Sequence, residues 1–112
     1  MKSALPLQEE KKLFVTYRVE AGCLGPDGLN HIAKFCKFAQ AEMKTVDSEY
    51  ITWNIVHRED KTLPEMEYKV FGRVINDSQA EKYLSIFGKN LNEFENNLSD
   101  LITNLIYQFM ND

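Results

Sequence analysis

The chain has 112 residues, 44% of them apolar and 27% charged, with a net charge of -4. That length supports one domain with its own core, and that balance excludes a disordered, fibrous or disulfide-dense chain. The acidic total argues against general affinity for nucleic acid or anionic membranes. No apolar run approaches the roughly 20 residues that a membrane span requires.

The start, MKSALPLQEEK, lacks an apolar segment long enough for a secretory signal and breaks at Pro6. Residues 1–11 are therefore expected to form a flexible tail, residues 12–112 a single α+β domain, and the protein to be cytoplasmic. Lys12–Glu20 alternates, with Leu13, Val15, Tyr17 and Val19 on one side and Phe14, Thr16, Arg18 and Glu20 on the other, as in a strand with one buried face. The turn-rich stretch GCLGPDG (residues 22–28) leads into a helix over Asp27–Met43, with Asp27 offering the N-cap oxygen. Tyr50–Arg58 alternates again as a second strand, placing Ile51, Trp53, Ile55 and His57 together.

After the polar turn EDKTLP, a third strand is expected over Glu65–Ile75, with Met66, Tyr68, Val70 and Val74 on one face and Gly72 as a bulge or close backbone approach. Two helices finish the chain. The first, Ser78–Phe87, takes Asp77 as its cap and stops at Gly88; the second starts at Asn90, runs for about 20 residues, and has Glu93 to complete a capping box.

The order β-α-β-β-α-α makes strands one and two parallel through a right-handed crossover and strands two and three an antiparallel hairpin. The expected sheet is three-stranded and mixed, in the order 1-3-2 of ferredoxin-like sheets, with the helices packed on one face and strand one as an open edge. Its other face would mix Phe14, Arg18, Val56, Lys69, Phe71 and Arg73, a surface suited to a subunit interface or a binding platform.

Cys23, near a helix entrance, and His57, at the same end of the sheet, are the residues that could support thiolate catalysis. Glycine, proline and aspartate are also what any sharp strand-to-helix turn uses, and that structural reading is preferred. Cys23 and Cys36 lie too far apart for a disulfide and are expected as free thiols. His31 and Cys36, five residues apart, point about 140° apart around a helix and cannot ligate one ion from it. No metal-binding or phosphate-cradling pattern occurs, so neither metal nor cofactor is expected. Cys36 reads as a small core residue beside Leu29, Ile32, Ala39 and Met43. Phe38 projects opposite that arc, near His31, and Tyr107 projects likewise from the last helix, so Phe38, His31 and Tyr107 are candidate partner contacts. The last helix carries Leu98, Ile102 and Leu105 on a stripe that widens toward Ile106 and Met110, and either the domain or a second copy must cover it.

The leading expectation is a small non-catalytic interaction or adaptor protein acting as a homodimer, through the strand-one edge, the mixed sheet face or the last helix. The alternative is a small-molecule-binding protein or enzyme of the dimeric α+β barrel kind, which the β-α-β-β-α order resembles in layout. Tyr17, Trp53, His57 and Tyr68 would line its cavity. A third expectation is single-stranded RNA on the open sheet face, where Arg18, Arg58, Lys69 and Arg73 interleave with Phe14 and Phe71; the acidic total counts against it.

Overall fold

The computed structural model describes residues 6–111, so the first five residues of the expected tail lie outside the described residues. Residues 7–11 are engaged with the domain. The Leu7 N–H donates to the Glu49 carbonyl at 2.9 Å, Glu9–Lys11 form a 3-10 turn, and the Thr52 hydroxyl donates to the Glu9 carboxylate.

The fold is α+β. Strands β1 (Leu13–Val19), β2 (Ile51–His57), β3 (Met66–Val70) and β4 (Arg73–Ile75) join helices α1 (Gly28–Met43), α2 (Asp77–Ile86) and α3 (Leu91–Met110). The sheet is mixed, as expected, but it has four strands in the order β2-β1-β3-β4 rather than three in the order 1-3-2. Strand β1 is interior. It runs parallel to β2, from Leu13 opposite Ile51 to Val19 opposite His57, and antiparallel to β3, with Phe14 opposite Lys69 and Tyr17 opposite Met66. The expected open edge on strand one does not exist.

The link between β2 and β3 explains the difference. A tight hairpin needs only two to five connecting residues, whereas residues 58–65 pass the carboxyl end of β1 and span two strand spacings, about 10 Å. The crossing is tied down on both sides. The Arg58 N–H donates to the Val19 carbonyl at 2.8 Å, and the Arg18 N–H donates to the Glu65 carbonyl at 2.7 Å.

The second difference lies in the expected third strand, which is a hairpin. Val70 pairs with Arg73 across a two-residue turn, Phe71-Gly72, whose φ angles are 55° and 76°. Positive φ at both central residues is the mark of a type I′ turn, the form whose twist matches the flanking strands. Gly72 is therefore a turn residue rather than a bulge. Reversal at the turn also changes the phase: Val74 lies opposite Lys69, on the outer face, while Ile75 lies opposite Tyr68 on the inner one.

The inner face builds the core. Leu13, Val15, Val19, Ile51, Trp53, Ile55 and Tyr68 are buried there with Ile32, Phe35, Ala39 and Met43 of α1 and Phe94, Leu98, Ile102 and Leu105 of α3. The buried positions on α1 follow i, i+3 and i+4 spacing centred on Phe35 and Ala39. That centre lies to one side of the expected arc. As a result Leu29 is exposed and Cys36 half-buried, and Phe38 turns inward to pack on Phe35 and Phe109 at ring distances of 6.4 and 5.8 Å. Burial pushes the Cys36 thiol up to about 11.

The helix caps refine the expected boundaries. Asn76, one residue before Asp77, caps α2 in a reciprocal capping box with Gln79. At α3, Asn90 accepts from the Glu93 N–H at 3.1 Å, while the Leu91 N–H is taken by the Glu81 carboxylate at 2.9 Å. Asp27 occupies the N-cap of α1 but makes no side-chain cap bond. No helix among the described residues is long and apolar enough to cross a membrane.

Candidate functional site

The corner between β1 and α1 is built by sterics. Gly25 has φ 91°, a conformation that L side chains rarely adopt. Gly28 is buried at the first position of α1, where a Cβ would stand 1.7 Å from the Ala21 carbonyl oxygen. Cys23 is an exposed free thiol on the turn Ala21–Leu24. A hollow of about 460 Å³ at this end of the sheet is lined by His57, Arg58, Gly25 and Gly28, and Cys23 is not part of its wall. The Nδ1 of His57 lies 3.9 Å from the Glu59 carboxylate. The nearby cations are already committed, since Arg58 Nη1 donates to Glu20 at 2.6 Å and Lys61 Nζ lies 3.6 Å from the same carboxylate. These contacts hold the Glu20 carboxyl below the usual carboxylate range, chiefly through the Arg58 hydrogen bond. No group of three His, Cys, Asp or Glu side chains among the described residues could hold a metal ion.

The aromatic residues expected to line a ligand cavity, Tyr17, Trp53 and Tyr68, are buried. Trp53 stacks on Phe94 at 5.8 Å, and its Nε1–H donates to the Val46 carbonyl at 2.8 Å. The Tyr68 hydroxyl donates to Glu95 at 2.6 Å, and that of Tyr17 to Glu65 at 3.4 Å. Burial first, and the adjacent carboxylate second, raises the Tyr68 phenol and pushes that of Tyr17 up to about 12. The hollow beside Trp53, Lys89 and Asn90 measures about 170 Å³, below the roughly 300 Å³ at which ligand pockets begin, but Trp53 also borders a larger groove of about 800 Å³ between α1 and β2.

The expected partner residues are dispersed in character. Phe38 is half-buried between α1 and α3, His31 is partly buried, and Tyr107 is 70% exposed.

What the fold does leave open is the outer sheet face. The strand register sets Thr52, Phe14, Lys69 and Val74 in one row across all four strands, with Asn54, Thr16 and Glu67 in the next. Arg18 Nη2 pairs with Glu67 at 2.5 Å and Arg18 Nη1 donates to the Pro64 carbonyl at 2.7 Å, so two of the four cations expected to face RNA, Arg18 and Arg58, bind carboxylates and link carbonyls instead. At the other end of the face, Phe71 and Val74 are 62% and 61% exposed. A groove of about 330 Å³ runs there between Phe14, Phe71, Lys69 and Glu10.

Phe71 is the unusual member of this patch. Its φ of 55° is left-handed, a conformation that costs a bulky L residue roughly 1–2 kcal/mol and that Asn, Asp or Gly adopts at this turn position with less strain. The ring gains little burial in return. Sequence phasing counted Phe71 among the outer-face residues but missed its place at a hairpin tip, because Phe-Gly is not a common turn pair. No protein family, curated protein or solved structure matches the chain.

Proposed function

We propose that the protein is a small non-catalytic interaction protein that self-associates as a homodimer through its outer sheet face, with Phe71 as the anchor. The observation that carries this reading is a strained aromatic residue held exposed at a hairpin tip, on a face where Phe14 and the exposed Val74 stand on either side of Lys69. Strain retained at one position points to a use for the side chain that the monomer itself does not provide, and aromatic residues are enriched among interface anchors.

The charges around the patch suit a second copy. Glu9, Glu10, Lys12 and Lys69 line the same groove, so both charge signs are at hand for a self-complementary contact in which each copy's lysines meet the other's carboxylates. A cytoplasmic location is part of the same proposal, and the free thiols Cys23 and Cys36 are compatible with a reducing compartment.

Sedimentation equilibrium on the wild type and on Val74→Lys tests the reading. The wild type is expected at twice the chain mass and the variant at the monomer mass. A wild type that stays monomeric at every accessible concentration overturns it.

A further inference from the structure

With β1 interior, β2 becomes the outer strand on one side of the sheet. An outer strand presents unpaired backbone groups, and here two of them are taken by a single side chain. Gln40 of α1 donates from Nε2 to the Trp53 carbonyl at 2.9 Å and accepts at Oε1 from the Ile55 N–H at 2.8 Å. Its amide thus fills two positions that a neighbouring strand would otherwise occupy.

Beside this plug lies a groove of about 800 Å³ whose walls include Ile51, Trp53, Lys12, Lys37 and Lys44. Lys37, Gln40 and the C-cap residue Lys44 stand at i, i+3 and i+7 along one face of α1 and its end. Lys37 and Lys44 are exposed and form no ion pair among the described residues. One carboxylate, Glu9, shares the groove, but it is held by the Thr52 hydroxyl and by Lys12 Nζ at 3.5 Å. A chain of net charge -4 thus gathers three lysines around one groove, two of them without an ion-pair partner among the described residues.

We propose that this groove receives an acidic, extended segment of a partner protein, which adds to the sheet as a strand beside β2 and displaces the Gln40 side chain. The backbone edge from Trp53 onward supplies the ladder once Gln40 is displaced, and the lysines select acidic side chains. The spacing is compatible. Lys37 and Lys44 are about 10 Å apart along the helix, and an extended strand repeats the side chains of one face every ~7 Å, so alternate acidic residues reach both. Charge also argues against a second copy, because pairing two β2 edges brings the two lysine sets together. The inference stands apart from the proposed self-association, which uses the sheet face and not its edge.

The probe is a capped ten-residue peptide of alternating glutamate and valine, titrated against the full chain. Trp53, the one tryptophan, reports binding by fluorescence, and amide exchange at Trp53 and Ile55 reports the ladder. Binding is expected to weaken about tenfold or more in the double variant Lys37→Glu, Lys44→Glu. It is also expected to disappear for a peptide N-methylated at alternate residues. In Gln40→Ala it should tighten about fivefold, because no plug remains to be displaced. No binding at about 1 mM peptide, equal binding by the charge-reversed variant or the N-methylated peptide, or preference for a single-stranded oligonucleotide overturns the proposal. Weaker binding in Gln40→Ala overturns the displacement step. Each of these outcomes is independent of whether Val74→Lys changes the oligomeric state.

Discussion

Replacing Gly28 with alanine is the sharpest test of the claim that the GCLGPDG corner serves architecture. The added Cβ would stand 1.7 Å from the Ala21 carbonyl oxygen and 2.6 Å from its carbon. A normal contact needs roughly 3.2 Å, so the start of α1 or the turn at Ala21–Leu24 must retreat by about 1.5 Å, in a close-packed region that resists such shifts. The obstacle is backbone rather than a flexible side-chain end, which places the cost at or above the upper part of the usual overpacking range of about 1–3 kcal/mol. Alanine's helix propensity returns at most about 1 kcal/mol. A net loss of about 2–4 kcal/mol follows, a large share of a typical stability of about 5–15 kcal/mol, with Tm falling by roughly 10–15 °C. Urea unfolding followed by circular dichroism measures it. Gly22→Ala is the control, since no heavy atom lies within 4 Å of its added Cβ, and it should change stability by less than about 0.5 kcal/mol. A Gly28→Ala protein as stable as the wild type would refute the steric account and reopen a functional role for the loop.

Other outcomes follow from single residues. Phe71→Asn relieves left-handed strain and removes the anchor, so it should raise the stability of the monomer by about 1 kcal/mol while weakening self-association, as read by thermal melts and sedimentation of one sample. Tyr50 stacks on Phe87 at 4.3 Å, and its buried hydroxyl, although close to the Asp47 carboxylate, makes no hydrogen bond of good geometry among the described residues; Tyr50→Phe should therefore gain up to about 1 kcal/mol in urea unfolding. Burial, followed by neighbouring carboxylates, pushes the phenols of Tyr17 and Tyr50 up to about 12. Unfolded tyrosine ionises near 10, so the stability these groups contribute is fully present below about pH 10 and lost as pH rises toward 12. Urea midpoints across that window should fall, and a flat profile would contradict the burial of these rings.

Much of the fold was legible because hydrophobic phase maps directly onto burial. Leu13, Val15 and Val19 alternate and are buried, and Phe94, Leu98, Ile102 and Leu105 follow helical spacing and are buried. Strand order was not legible, since it turns on whether residues 58–65 close a hairpin or cross a strand, and both uses favour the same polar and proline-bearing composition. The arginines that hold the crossing, Arg18 and Arg58, read equally well as a nucleic-acid surface until their partners Glu67 and Glu20 are seen. Phe38 was misplaced by a small rotation of the apolar arc on α1, beyond what helical periodicity resolves when Phe109 supplies the covering ring. Nothing local marks Gln40, because its role depends on which strand ends at the sheet's edge.

Isotope-filtered nuclear Overhauser spectroscopy on a mixture of labelled and unlabelled chains tests self-association most directly. Contacts between the Phe71 ring of one copy and Phe14 or Val74 of the other are the result expected. Contacts between copies that arise only from Tyr107 and Met110, or none at all, would contradict a dimer built on the outer sheet face.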